Sequence, residues 1–197
     1  MRPAVLDMLI KALIACVVGL GLGLWATALS LRNSPGLEVS TIGAWTVSEK
    51  AGTLEADPYV RAGLERSGEI PLAAGEGLQF IARVDDKGDA LGRRCAYLVG
   101  RATPPARYWT LSLVDLQGFP VENPAGRYGF RSSEIVRDAD GGFTIAVSAS
   151  AHAGNWLPIG SKGPFALVLR LYDSPVSATA GAIDKGAMPH IAAEACS

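Results

Sequence analysis

The chain has 197 residues, 49% of them hydrophobic and 19% charged, with 18 basic against 19 acidic side chains and a net charge of −1. That balance lacks the basic excess by which nucleic acid or an anionic surface is held, so neither is expected as the main partner. Three cysteines in this length exclude a small disulfide-held scaffold and leave the work of folding to one hydrophobic core.

Residues 12–31, ALIACVVGLGLGLWATALSL, carry no charge. A hydrocarbon core of about 30 Å takes about 20 helical residues, so this stretch predicts a transmembrane helix. Arg2 and Lys11 precede it with Asp7 as the only acid, and Arg32 follows. The positive-inside rule then places the N-terminus in the cytoplasm and exports the rest. The expected organisation is a signal anchor over residues 1–32, a linker over 33–41 beginning NSPGL, and a periplasmic domain over 42–197. Residues 12–31 would seat the chain as a single-pass protein of a bacterial inner membrane. A second reading stays open: Ala26-Thr27-Ala28 has the small-x-small form of a signal-peptide cleavage site, and cutting near Ala28 would give a secreted protein. Trp25 suits an interfacial anchor. Gly19 and Gly23 form a small-xxx-small pair that fits a homo-oligomer, although glycine is common in such helices for its own sake. Cys16, inside the span, reads as a small hydrophobe.

Beyond Arg32 remain 15 basic and 18 acidic residues, with no block of like charge. Cys95 and Cys196 are the two cysteines of this part, and in an oxidising compartment they are expected to pair and tie the C-terminus to the body. Metal binding by the two is the competing reading, and it lacks histidine partners nearby.

Residues 42–47 (IGAWTV) predict a first strand. Asp57-Pro58 is a helix start, with Asp as cap and Pro at the first helical position, and the helix should run to about residue 66 with Gly68 as its stop. Residues 78–84 (LQFIARV) alternate, placing Phe80, Ala82 and Val84 opposite Gln79, Ile81 and Arg83. Residues 94–100 predict a further strand. In residues 108–115 Trp109, Leu111 and Leu113 share a face. In 143–147 Phe143, Ile145 and Val147 do so, and in 165–172 Phe165, Leu167, Leu169 and Leu171. The other side of that last strand carries Ala166, Val168, Arg170 and Tyr172, either the floor of a cleft or a solvated face. Period-2 patterning in short runs separated by Gly and Pro turns predicts an all-β, mainly antiparallel sandwich or barrel with one short helix.

Several pieces, taken in order, carry a family resemblance: Pro104-Pro105 leading to Trp109, Asn123-Pro124, Arg127-Tyr128-Gly129, Asp138-Ala139-Asp140-Gly141, Gly154-Asn155-Trp156-Leu157-Pro158 and Leu169-Arg170-Leu171-Tyr172. On these the chain resembles the bacterial family known as domain of unknown function 1214, over about residues 95–175 and more loosely over the whole exported part. The resemblance implies a jelly-roll-like β-sandwich in a short, membrane-anchored form, where longer relatives carry a further N-terminal domain. It implies no activity and no catalytic set.

The residues themselves offer few chemical signatures. There is no P-loop, dinucleotide fingerprint or GxSxG elbow, so no cofactor is expected. Asp138-Ala139-Asp140-Gly141-Gly142 begins like a calcium loop, but its twelfth position is Ala149 where the closing Glu belongs. A turn explains it, as it explains Asp85-Asp86-Lys87-Gly88-Asp89, and no metal site is expected. His152 and His190 have no acid or second histidine at ligand spacing; His152 could serve as a general base if its loop folds over a cleft, a solvated loop histidine is its plain reading, and His190, near the C-terminus, is the weaker candidate. Asn155 and Trp156 pair a directional amide with a flat ring, a combination that suits a sugar; the plain alternative is a core plug and a turn bond. Arg127-Tyr128 and Arg170-Tyr172 offer guanidinium forks for an anion; the alternative is pairing with Glu134, Asp138 or Asp173.

Two functions follow. One is a periplasmic domain that binds a small molecule or a protein partner, or supports the envelope, with Arg127, Tyr128, Asn155, Trp156, Arg170 and Tyr172 as the ligand-binding candidates. The other is a hydrolase of an anionic or glycan substrate, with Glu134 or Asp138 as acid and an arginine clamp. The second requires Arg127, Tyr128, Asn155 and Trp156 to converge beside a carboxylate or His152.

Overall fold

The computed structural model describes residues 2–33, 39–67, 70–73, 75–160, 163–175 and 183–196. The first element is a helix, α1 (Arg2–Asn33). Within it Val5–Ser30 holds an 18-residue stretch with a mean hydropathy of 2.2, none of it buried in the fold, so the helix is long and apolar enough to cross a membrane. A helix apolar on all sides suits a medium other than water. Asn33, the first residue of the expected linker, still belongs to α1, while residues 34–38 of that linker and Gly68, the expected helix stop, lie outside the described residues.

The remainder is mostly β. Strands β1 (Ser40–Ile42) and β2 (Trp45–Val47) replace the single strand expected over 42–47. Gly43 takes a φ of 64°, which turns the chain back on itself, so Ile42 pairs with Trp45. Helix α2 (Pro58–Ser67) begins as expected, with Asp57 Oδ1 accepting from the Tyr59 N–H at 2.7 Å. Then follow β3 (Gly77–Ala82), β4 (Cys95–Gly100), β5 (Tyr108–Asp115), β6 (Gly129–Arg131), β7 (Thr144–Ser148), β8 (Asn155–Pro158), β9 (Phe165–Tyr172), a 3-10 turn at Lys185–Ala187 and β10 (His190–Cys196).

One sheet has the order β1-β2-β3-β9-β5-β6 and is antiparallel throughout. The other has the order β10-β4-β7-β8 and is mixed, because β8 runs parallel to β7. The return between those two strands, residues 149–154, is far shorter than the helical crossover usual between parallel neighbours.

A single apolar cluster draws on both sheets. Trp45, Phe80, Leu111, Leu167 and Leu169 come from the six-stranded sheet, and Val99, Ile145, Leu157 and Ile191 from the four-stranded one, all at most 1% exposed. Trp109 stacks on Phe143 across the core, ring centroids 4.9 Å apart. The faces are those the alternation predicted. The far side of β9 divides in two: Ala166 and Val168 join Val114 in a small buried cluster, while Arg170 and Tyr172 are half-buried. Cys95 and Cys196 form a disulfide at the end of the β4–β10 pair, closing a loop with a sequence separation of 101.

Candidate functional site

A shallow groove of about 500 Å³ runs along β5, β6 and the turn before β6. Thr110 and Ser112 of β5 and Gly129 and Arg131 of β6 share one face of the sheet, because Thr110 pairs with Arg131 and Ser112 with Gly129. The turn supplies Arg127 and Tyr128, and Glu134 lines the groove beside them. The turn is held by Asn123, whose side chain accepts from the Arg127 N–H and donates to the Arg127 carbonyl. Local bonding of this kind is why an Asn-Pro-Ala-Gly run folds into a defined loop.

Charge in the groove is mainly positive. Arg127 lies 3.7 Å from Glu134 and 4.5 Å from the centroid of the Phe130 ring. Glu134 Oε1 also accepts from the Arg131 N–H at 3.0 Å. Among the described residues no acid pairs with the Arg131 guanidinium. Arg170 stands opposite Thr110 on its other side, so Arg131, Thr110 and Arg170 form one cross-strand row. Directly opposed residues are about 5 Å apart at Cβ, which puts the two arginines roughly 10 Å apart at their base. Arg170 Nε donates to Gln79 Oε1 at 2.7 Å rather than meeting an acid, and Asp173 is taken by Arg107 at 3.5 Å. Tyr172 lies against Tyr108, centroids 5.8 Å apart, next along the same face.

The six candidates therefore separate. Arg127 and Tyr128 line the groove, and Arg170 and Tyr172 sit on the adjoining sheet face. Asn155 and Trp156 belong to β8, in the other sheet. Asn155 is 7% exposed; its Oδ1 accepts from the Val136 N–H and its Nδ2 donates to the carbonyls of Val136 and Thr144. Its amide clamps the β6–β7 loop to β7. The Trp156 indole N–H donates to the Ser148 carbonyl. Gly154 enters β8 at a φ of 81°, a conformation that favours glycine.

The two Asp/Gly-rich loops are turns. Asp85 Oδ1 accepts from the N–H groups of Lys87 and Asp89, and Asp140 Oδ1 from that of Gly142. Asp86 ties β10 down by accepting from the Ile191 N–H and facing His190 Nδ1 at 3.1 Å. His152 is exposed in the β7–β8 return. Sequence reasoning does not single out Arg131, Thr110 and Glu134 together: strand pairing brings Thr110 to Arg131, and the turn in which the Glu134 N–H donates to the Arg131 carbonyl brings Glu134.

Among curated proteins, none matches the chain. Of solved structures, the VPA0106 protein from Vibrio parahaemolyticus is similar at 22% identity and a TM-score of 0.55, over 72% of this chain and 36% of that one. An uncharacterized protein from Burkholderia cenocepacia is similar at 19% identity and a TM-score of 0.39, over 76% of this chain and 47% of that one. The chain thus spans just over a third of the Vibrio protein and under half of the Burkholderia one. The Vibrio likeness establishes a shared fold and nothing of activity. Residues 76–176, which carry β3 to β9 and the whole groove, match the family described as Protein of unknown function (DUF1214) over more than half of the chain, and the chain belongs to that family.

Proposed function

We propose that the chain is a membrane-anchored domain of the bacterial periplasm that binds an anionic ligand in the groove of its six-stranded sheet. The apolar helix supports the anchor, and the disulfide supports an oxidising compartment. The two sheets on a common core support the jelly-roll form of sandwich, with residues 42–197 as one domain beyond the linker.

The observation that carries the binding reading is the arginine excess at the groove. Arg127, Arg131 and Arg170 gather on and beside it against the single carboxylate of Glu134. Positive side chains brought together without matching acids favour a negative ligand. A hydrolase would need Asn155 and Trp156 to face the same space as Arg127 and Tyr128. With the Asn155 amide engaged by backbone in the other sheet, binding is the better-supported function.

The test is a thermal-shift panel on the full chain in detergent, spanning organic acids, phosphate, sugars, lipid head groups and divalent metals. A ligand at 100 times its Kd adds about 2.7 kcal/mol, or about 5–10 °C for a domain of this size. A shift from an anion that disappears in Arg127→Ala and Arg131→Ala supports the groove. An anion shift kept by both variants places the ligand elsewhere and overturns it. A flat panel overturns small-molecule binding in favour of a protein partner.

A further inference from the structure

We infer that the groove is a carboxylate site held closed by the protein's own Glu134, and that its ligand is a small organic acid with two or more carboxylates. This inference rests on the groove being the ligand site. Glu134 Oε1 accepts from the Arg131 N–H at 3.0 Å and lies 3.7 Å from Arg127 Nη1. One carboxylate oxygen thus meets a backbone donor and a guanidinium together, the contacts by which proteins hold anions.

The strand pairing explains why that donor is free to serve. The Leu113 N–H donates to the Tyr128 carbonyl and the Ser132 N–H to the Trp109 carbonyl, so residues 128 and 132 turn their backbone groups toward β5. The Arg131 N–H between them faces out from β6, the edge of the sheet. Glu134 covers it from within the chain.

The cover is easily removed. Both side chains of the Arg127–Glu134 pair are more than 40% exposed, at 43% and 42%, and exposed pairs hold weakly. Arg127 keeps a second contact over the Phe130 ring, so its guanidinium stays placed when Glu134 leaves. An incoming carboxylate would take the vacated position, and a second one would reach the Arg131 guanidinium beside Thr110. Carboxylate is favoured over other anions because the site already holds one, and its two planar oxygens match the arginine fork. A groove of about 500 Å³ lies in the range that takes small ligands.

Titration calorimetry of the full chain in detergent with citrate tests this, with phosphate and maltose as comparison ligands. Citrate should bind, maltose should not, and phosphate should bind at least tenfold more weakly than citrate. Glu134→Ala should tighten citrate about fivefold, the upper range of an exposed ion pair. Glu134→Gln keeps an acceptor for the Arg131 N–H, removes the charge, and should tighten citrate less; it also carries the test if the alanine variant does not fold. Glu55→Gln makes the same change of charge outside the groove and should leave the Kd unchanged. Equal citrate affinity in wild type and both Glu134 variants, with binding lost in Arg127→Ala, overturns the displacement of Glu134 and leaves the groove standing. Phosphate binding as tightly as citrate overturns the carboxylate class. Citrate binding untouched by Arg127→Ala overturns the groove itself.

Discussion

Replacing Asn155 should be among the most damaging changes in the four-stranded sheet, although the residue touches no core side chain through its polar end. Its amide makes three hydrogen bonds to backbone: one accepted from the Val136 N–H at 2.8 Å, one donated to the Val136 carbonyl at 2.8 Å and one to the Thr144 carbonyl at 3.0 Å. Leaving a buried polar group unpaired costs about 1–3 kcal/mol. Val136 is 65% exposed, so water can reach part of that loop and the lower figure applies to each group. Three backbone groups lose their partner at about 1 kcal/mol each, so Asn155→Ala should cost about 3 kcal/mol, which lowers Tm by about 6–12 °C in a chain of this length. Asn155→Asp is the sharper variant. It keeps the acceptor for the Val136 N–H but turns a carboxylate toward two carbonyls. Burial and those carbonyls would hold the new carboxyl above its ordinary range in the folded state. The folded state then binds the proton more tightly than the unfolded one, so stability is gained as pH falls and lost as pH rises through the folded value. Urea unfolding of the full chain in detergent, followed by far-UV circular dichroism at pH 7 and pH 5, reads both effects. An alanine variant within about 0.5 kcal/mol of wild type, or an aspartate variant as stable as wild type at pH 7, would refute the clamp.

The disulfide should matter to a comparable degree. The chain-entropy treatment gives about 4.7 kcal/mol for a loop of about 100 residues, so Cys95→Ser with Cys196→Ser should lower the urea midpoint markedly, and an unchanged midpoint would contradict it. Trp109→Ala removes the ring stacked on Phe143 from a site 3% exposed and should cost about 3–5 kcal/mol by the same unfolding assay. Gly77→Ala would drive a methyl into the Leu171 carbonyl oxygen in the β3–β9 pair, and a loss of about 1–3 kcal/mol is expected. In cells, the full chain should stay with membranes through alkaline extraction, and Leu20→Arg, which costs about 2.5–3.5 kcal/mol at mid-span, should release it; an intact mass beginning at Leu29 would instead reveal a cleaved signal peptide.

How much of this was legible depends on the range of the signal. β5 and β9 run over residues 108–115 and 165–172, as the alternation of Trp109-Leu111-Leu113 and Phe165-Leu167-Leu169-Leu171 predicted. Eight residues suffice for a period of two to show. The three residues of β6 and the four of β8 are too few, and β8 ends in a proline. β10 reads HIAAEAC, with alanine where strand formers are expected, and becomes a strand by pairing with β4 beside the disulfide. Nothing local marks Asn155 and Trp156 as part of a strand, because β8 forms by pairing in parallel with β7.

The amino-acid order by itself determined the apolar span, the inward face of each long strand, the cap of α2 and the cysteines available to pair. Those depend on neighbours a few residues apart, where chain geometry leaves little choice. The folded structure alone decided which strands share a sheet. It thereby set Arg131 beside Thr110 and Arg170 and sent Asn155 to the opposite sheet. Such contacts join residues separated by tens of positions, and they follow from how two sheets bury one core, which no local pattern encodes.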